Sequence, residues 1–170
     1  MRVLKIFLPC AVAILLAGCA SYHLGPVNGA EAGEKSVVVL PFNNHTFQPR
    51  LGESLTQAVR ERLEADATYH LATGGSGDLV MSGDIRSYER EQLGYLNSDS
   101  STPQNFRVMA TIHVVVREQA TGKLVMDREI KAHTLVNVGQ DFASSERQAG
   151  PLLAQDAAQT IVGLLAEGAW

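Results

Sequence analysis

Four kinds of side chain in this chain could do chemistry: a thiol, the histidines, a glycine-serine cluster and scattered carboxylates. Cys19 follows Leu16, Ala17 and Gly18. Small residues ahead of a thiol leave an extended backbone open to a peptidase, and the thiol is a nucleophile that can take an acyl group. His23, His45, His70, His113 and His133 form no HExxH, and none has a second ligand at helical i+4 spacing. His113 and His133 could face each other across a hairpin and supply half of a metal site, but two solvated histidines are the plainer reading. Gly74, Gly75, Ser76 and Gly77 do not make a GxSxG elbow, and no helix follows them to complete a phosphate cradle. Asp84, Glu89, Glu91 and Asp99 show no recognisable pairing, and acids at this density usually keep a surface soluble. The expectation is a protein that is not an enzyme and carries no cofactor or metal.

The surroundings of Cys19 sharpen its meaning. Arg2 and Lys5 precede an apolar run from Ile6 to Leu16, followed by Ala17 and Gly18. Charged, apolar and small residues in that order make an export signal, and the run is too short for a stable membrane span. Leu16-Ala17-Gly18-Cys19 reads as a lipobox, the cleavage and acylation signal of a bacterial lipoprotein. Residues 1–18 are then a signal peptide, residues 19–35 an acylated tether, and residues 36–170 a single domain. An anchor of more than one acyl chain holds firmly, so the protein is tied to a membrane without spanning it.

Removing the signal leaves 152 of the 170 residues, enough for one domain with a real core. Losing Arg2 and Lys5 takes the formal charge from −4 to −6, which excludes nucleic acid as a partner. Cys10 leaves with the signal and Cys19 is acylated, so the domain has no disulfide and no thiolate metal site.

The elements follow from hydrophobic spacing. Ser36 to Phe42 is a β-branched run closed by Pro41 and suits a central strand. Asn43 to Pro49 is polar and predicts a loop. Leu51, Leu55, Ala58, Val59 and Leu63 share one helical stripe, with Arg60, Glu61, Arg62 and Glu64 opposite. Leu79 to Tyr88 reads as a strand weakened by Gly83. Tyr88 to Asn105 is polar, with Gly94, Asn97 and Pro103, and predicts a long loop. Phe106 to Glu118 alternates strictly, Thr121 and Gly122 turn the chain, and Leu124 to Thr134 returns with the same buried parity, except for Arg128. Ser144 or Ser145 can cap a last helix with Leu152, Leu153, Ala157, Ile161, Leu164 and Leu165 on one stripe, and Pro151 predicts a kink or a fresh start. The expected fold is an α+β two-layer sandwich: a four-stranded mixed sheet with two helices on one face, in the order β-α-β-β-β-α.

Three stretches then carry a resemblance. Tyr22-His23-Leu24 after the acylated cysteine, Asn105 to Val116, and Gln155 to Leu165 are similar to the aromatic opening, long third strand and closing helix of the LptE family of lipopolysaccharide-assembly lipoproteins. The resemblance implies an outer-membrane lipoprotein that plugs the large β-barrel LptD and helps lipopolysaccharide reach the outer leaflet. Ala20, rather than an aspartate, after the cysteine is similar to the sorting pattern for outer-membrane delivery. Val37 to Asn44 also resembles the opening strand of periplasmic lipoproteins that activate peptidoglycan synthases and of the TolB amino-terminal domain, which is the alternative. An esterase or metal hydrolase is a third reading.

Lipopolysaccharide is acidic and so is this chain, so binding requires a local basic patch acting within a Debye length of about 8 Å. Arg107, Arg117 and Lys131 on the uncovered sheet face, with Arg86 and Arg90 before the long loop, are the candidates. The same residues can instead pair with Asp127 and Glu129 and bind nothing. The loop from Tyr88 to Asn105 is the candidate contact with the barrel wall.

Overall fold

The alternation between Phe106 and Glu118 dictates the architecture. Val108, Ala110, Ile112, Val114 and Val116 are buried, and the residues between them are not, so one face of their strand lies against a second layer. The computed structural model describes residues 33–96, 99–137 and 142–168, apart from the side chains of 94–104, 142–143 and 146. The signal peptide, Cys19, Tyr22-His23-Leu24, most of the tether, Gly139 and Trp170 lie outside the described residues.

The elements are β1 (Ser36–Val39), β2 (Asn43–Asn44), α1 (Leu51–Asp66), β3 (His70–Leu71), β4 (Leu79–Leu96), β5 (Asp99–Glu118), β6 (Leu124–Asn137) and α2 (Phe142–Glu167). The sheet runs β3-β1-β4-β5-β6, and β2 pairs with β4 beyond the end of β1. β1 is parallel to β3 and β4, while β4, β5 and β6 form an antiparallel meander. The expected four strands are its body, and the two-residue β2 and β3 complete six. The class is α+β, as the spacing predicts.

β1 is shorter than Ser36 to Phe42 because Pro41 has no N–H for the ladder. The chain keeps its course even so. Leu40 donates to the Met81 carbonyl, and Asn43–Asn44 pair with Asp84 and Ile85, making a short strand at the start of the expected loop. Both helices turn their apolar stripes to the same sheet face. Leu51, Leu55, Ala58, Val59 and Leu63 of α1 are buried, as are Leu153, Ala157, Ile161 and Leu165 of α2. Ala149, Ala154 and Ala158 are also buried, and small residues of this kind let two helices approach closely.

α2 begins at Phe142, before either serine, and continues through Pro151. The proline removes one internal N–H but does not end the helix, and packing on both sides of it compensates. Leu152, assigned to the buried stripe by spacing, is exposed.

The largest departure is the expected loop Tyr88 to Asn105. The antiparallel ladder runs on from Tyr88↔Ala110 through Gln92↔Phe106 and Gly94↔Asn105 to Leu96↔Asp99, with register shifts among the last pairs. Backbone pairing extends a hairpin, so a polar sequence without apolar alternation still forms strand here.

Candidate functional site

The uncovered face of the sheet carries most of the predicted binding residues, and one irregularity in β4 decides which. Ile85 pairs with Ile112 and Ser87 with Thr111, leaving Arg86 as the extra residue of a bulge. The Arg86 guanidinium reaches over β5 to donate to Glu129 Oε2 at 2.9 Å. Beyond the bulge the parity has slipped: Ser87, Glu89 and Glu91 share the uncovered face, whereas Arg90 pairs with the buried Val108 and belongs to the helix side. Arg86 and Arg90, an even number of residues apart, are therefore on opposite faces. The predicted set does not come together as one patch.

Its other members are placed as the alternation requires. Arg107 donates to Glu91 Oε2 at 3.0 Å, and Arg117 donates to the Gly122 carbonyl at 3.3 Å in the β5–β6 turn. Lys131 has no ion pair among the described residues. It borders a groove of about 470 Å³ with Arg107, Thr111, Met109, Glu89 and His133. Asp84, Glu89, Glu91, Asp127 and Glu129 lie among these cations, so the face is charge-balanced. Pairing with Glu129 is realised, by Arg86, but the partner of Asp127 is a histidine.

That histidine is His113, whose Nε2 lies 2.7 Å from Asp127 Oδ1. In register His113 faces Glu129 and His133 faces Met109, so the two histidines do not oppose each other. A second pair sits beside it at the β2 edge, where His45 Nε2 is 3.2 Å from Asp84 Oδ1. The Asn43 side-chain amide also donates to Asp84, at 2.9 Å. This amide, and secondarily His45, holds the Asp84 carboxyl below its ordinary range. Among the described residues no group of three or more His, Cys, Asp or Glu side chains could hold a metal ion. The Gly74–Gly77 loop leads into β4 and is tied down by a Gly77 N–H bond to Gln119 Oε1.

Sequence reasoning missed a second cationic place, at Arg50 and Arg147 beside the start of α1. Arg50 is the N-cap of α1, at φ 59°, with no side-chain cap hydrogen bond. The available signal was the lack of Ser, Thr, Asp or Asn just before Leu51, where a helix start would ordinarily have one.

The described residues form a two-layer α+β domain in which both helices cover one face of the sheet and the other face is left open, lined by side chains of both charges. The lipopolysaccharide-assembly family model, LptE, matches residues 34–164. The chain belongs to the LptE family of lipopolysaccharide-assembly lipoproteins. No curated protein matches the sequence. Solved structures share the fold at low identity. A protein of Xanthomonas campestris is 11% identical with a TM-score of 0.57, covering 88% of this chain and 94% of its own. A hypothetical protein of Chlamydia trachomatis is 13% identical with a TM-score of 0.55, covering 79% and 96%. The rare lipoprotein B of Shewanella oneidensis is 17% identical with a TM-score of 0.50, covering 77% and 93%.

Proposed function

We propose that this lipoprotein is acylated on Cys19, held at the outer membrane, and serves as the partner and plug of an LptD-like β-barrel during lipopolysaccharide assembly, without catalysing a reaction. The observation that carries the reading is the family match, which spans the whole described domain from before β1 into the last turns of α2. Two structural features support it. The open sheet face is polar and charge-balanced, which suits contact with a hydrated barrel interior. The β4–β5 ladder continues beyond the Arg90↔Val108 pair to Leu96↔Asp99, and so offers backbone for a partner to hold. Arg107 and Lys131 at the groove, with Arg86, Arg90 and Arg117 around the sheet, are the lipopolysaccharide contacts of this reading.

The test is a gentle detergent purification of the acylated protein from its own membranes, with partners identified by mass. A large outer-membrane β-barrel in near-equal amount is the expected result. A peptidoglycan synthase in its place, or no partner, overturns the reading. A variant in which residues 93–104 are replaced by a two-residue turn should fold as before and lose the barrel. Retention of the barrel would remove the hairpin from the interface.

A further inference from the structure

On the open face Arg86 and Arg107 are paired with carboxylates, whereas Arg50, at the start of α1, is not. Arg50 has no ion pair and no side-chain hydrogen bond among the described residues. With Arg147 it borders a groove of about 710 Å³ between the start of α1 and the Pro151 region of α2. Among the described residues bordering that groove none is acidic. Glu53, in the first turn of α1, does not border it. The Arg147 guanidinium is held by a neutral partner, donating to Ser144 Oγ at 3.0 Å.

Arg50 also sits where an arginine costs stability. Its φ of 59° is left-handed, a region open to glycine and asparagine and strained for other side chains. The same position is a helix N-cap, where glycine, serine or asparagine would be preferred. A strained residue that neither caps nor pairs points to a demand for its charge.

The groove has apolar shoulders. Phe47 is fully exposed immediately before Gln48, and Leu152 is exposed immediately after Pro151. Phe47 does not hang on a slack loop. Asn44 Oδ1 accepts from the N–H and the hydroxyl of Thr46, and the Asn44 amide donates to the Gln48 carbonyl at 2.7 Å. The backbone on either side of Phe47 is therefore held, with its ring exposed next to Gln48 at the border of the groove.

We propose that this groove is a lipid-phosphate site. Arg50 and Arg147 hold a phosphate through charge-assisted hydrogen bonds, and Phe47 and Leu152 receive the first methylenes of its acyl chains. Guanidinium suits phosphate because its planar fork can donate two parallel bonds. A free phosphate would make no use of Phe47, and an apolar peptide would make no use of the arginines. The inference rests on the proposed role in lipopolysaccharide assembly and adds to it a contact on the opposite layer from the open sheet face.

The experiment measures binding of the full-length acylated protein, in neutral detergent, to phosphorylated lipid A, to the same lipid with its phosphates removed, and to phosphatidylglycerol vesicles. Arg50→Gly is the informative substitution, because it removes the guanidinium while relieving the backbone, so a loss of binding cannot be a loss of fold. Arg50→Gly with Arg147→Gln should weaken phosphorylated lipid A by at least about tenfold, the scale of one charge-assisted bond, and leave binding of the dephosphorylated lipid unchanged. Phe47→Ser should weaken both lipids. Wild-type affinity in the double variant overturns the inference, as does a loss confined to Arg107→Gln and Lys131→Gln, which would keep the lipopolysaccharide reading and move the contact to the sheet. Displacement of lipid A by millimolar inorganic phosphate alone overturns the lipid assignment. Wild-type binding to phosphatidylglycerol but not lipid A, abolished by the double variant, sustains the lipid-phosphate site and overturns the lipopolysaccharide reading. Binding to no lipid overturns both.

Discussion

The Asp156 carboxylate, on α2, accepts the backbone N–H of His133 at 2.9 Å, on the open edge of β6. That N–H points away from β5, and among the described residues no strand lies beyond β6 to receive it. An edge strand of this length is a template for unwanted pairing, and a carboxylate seated on it blocks the register. Asp156→Ala should cost about 1 kcal/mol in a denaturant titration and produce concentration-dependent association in sedimentation velocity. Asp156→Asn keeps an acceptor and should remain monomeric.

Gly83 in β4 is required by space. A Cβ there would stand 2.5 Å from the His113 carbonyl oxygen and 2.6 Å from the Phe42 ring. Phe42 is buried after Pro41 and packs over β4 at that point, so neither neighbour can yield cheaply. Gly83→Ala should destabilise by about 1–3 kcal/mol, read from the denaturant midpoint, as overpacking of a close-packed core does. Unchanged stability would mean that Phe42 has another rotamer open to it.

Thr56 is the buried polar side chain among the described residues. Its hydroxyl accepts from the Phe42 N–H at 3.0 Å and donates to the Gly52 carbonyl at 2.7 Å, joining α1 to the segment after β1. Thr56→Val preserves shape and strands the Phe42 N–H, so a loss of about 1–3 kcal/mol is expected. Thr56→Ser should recover most of it.

Asp78 and Ser36 exchange three hydrogen bonds where β1 and β4 begin. The Asp78 carboxylate accepts from the Ser36 hydroxyl at 2.7 Å and the Ser36 N–H at 2.8 Å, and the Asp78 N–H donates to Ser36 Oγ at 3.0 Å. The Ser36 hydroxyl foremost, and then its N–H, lower the Asp78 carboxyl from the ordinary 3.8. A carboxyl lowered in the folded state adds stability that is complete above the unfolded value and disappears as pH falls through the folded one. Asp78→Asn should therefore melt below wild type at pH 7, with the gap closing below about pH 4. A gap that persists in acid would assign the loss to geometry instead of charge.

Much of the frame was legible because burial imposes a period. Phe106 to Glu118 could be read as a one-sided strand, Leu51 to Leu63 as a one-sided helix, and their order implied helices on a single face. The hairpin from Tyr88 to Asn105 was not legible, since its ladder consists of backbone bonds that leave no apolar period in the sequence. Leu152 was misplaced because helical spacing assigns a stripe but not the width of the groove that receives it.

The candidate binding residues divide in the same way. Residue types alone set the acidic balance, the α+β class and the likeness to a lipopolysaccharide-assembly family, and they are the ground for expecting acylation at Cys19. Tertiary structure alone decided which charges act together. One extra residue at Arg86 sends Arg90 to the other face, and Glu91 and Glu129 neutralise arginines distant from them in sequence. The close of α1 against α2 brings Arg50 and Arg147 to one groove. Electrostatic interaction depends on distance through space, and a one-residue bulge or a helix crossing changes that distance without leaving a mark on composition or period.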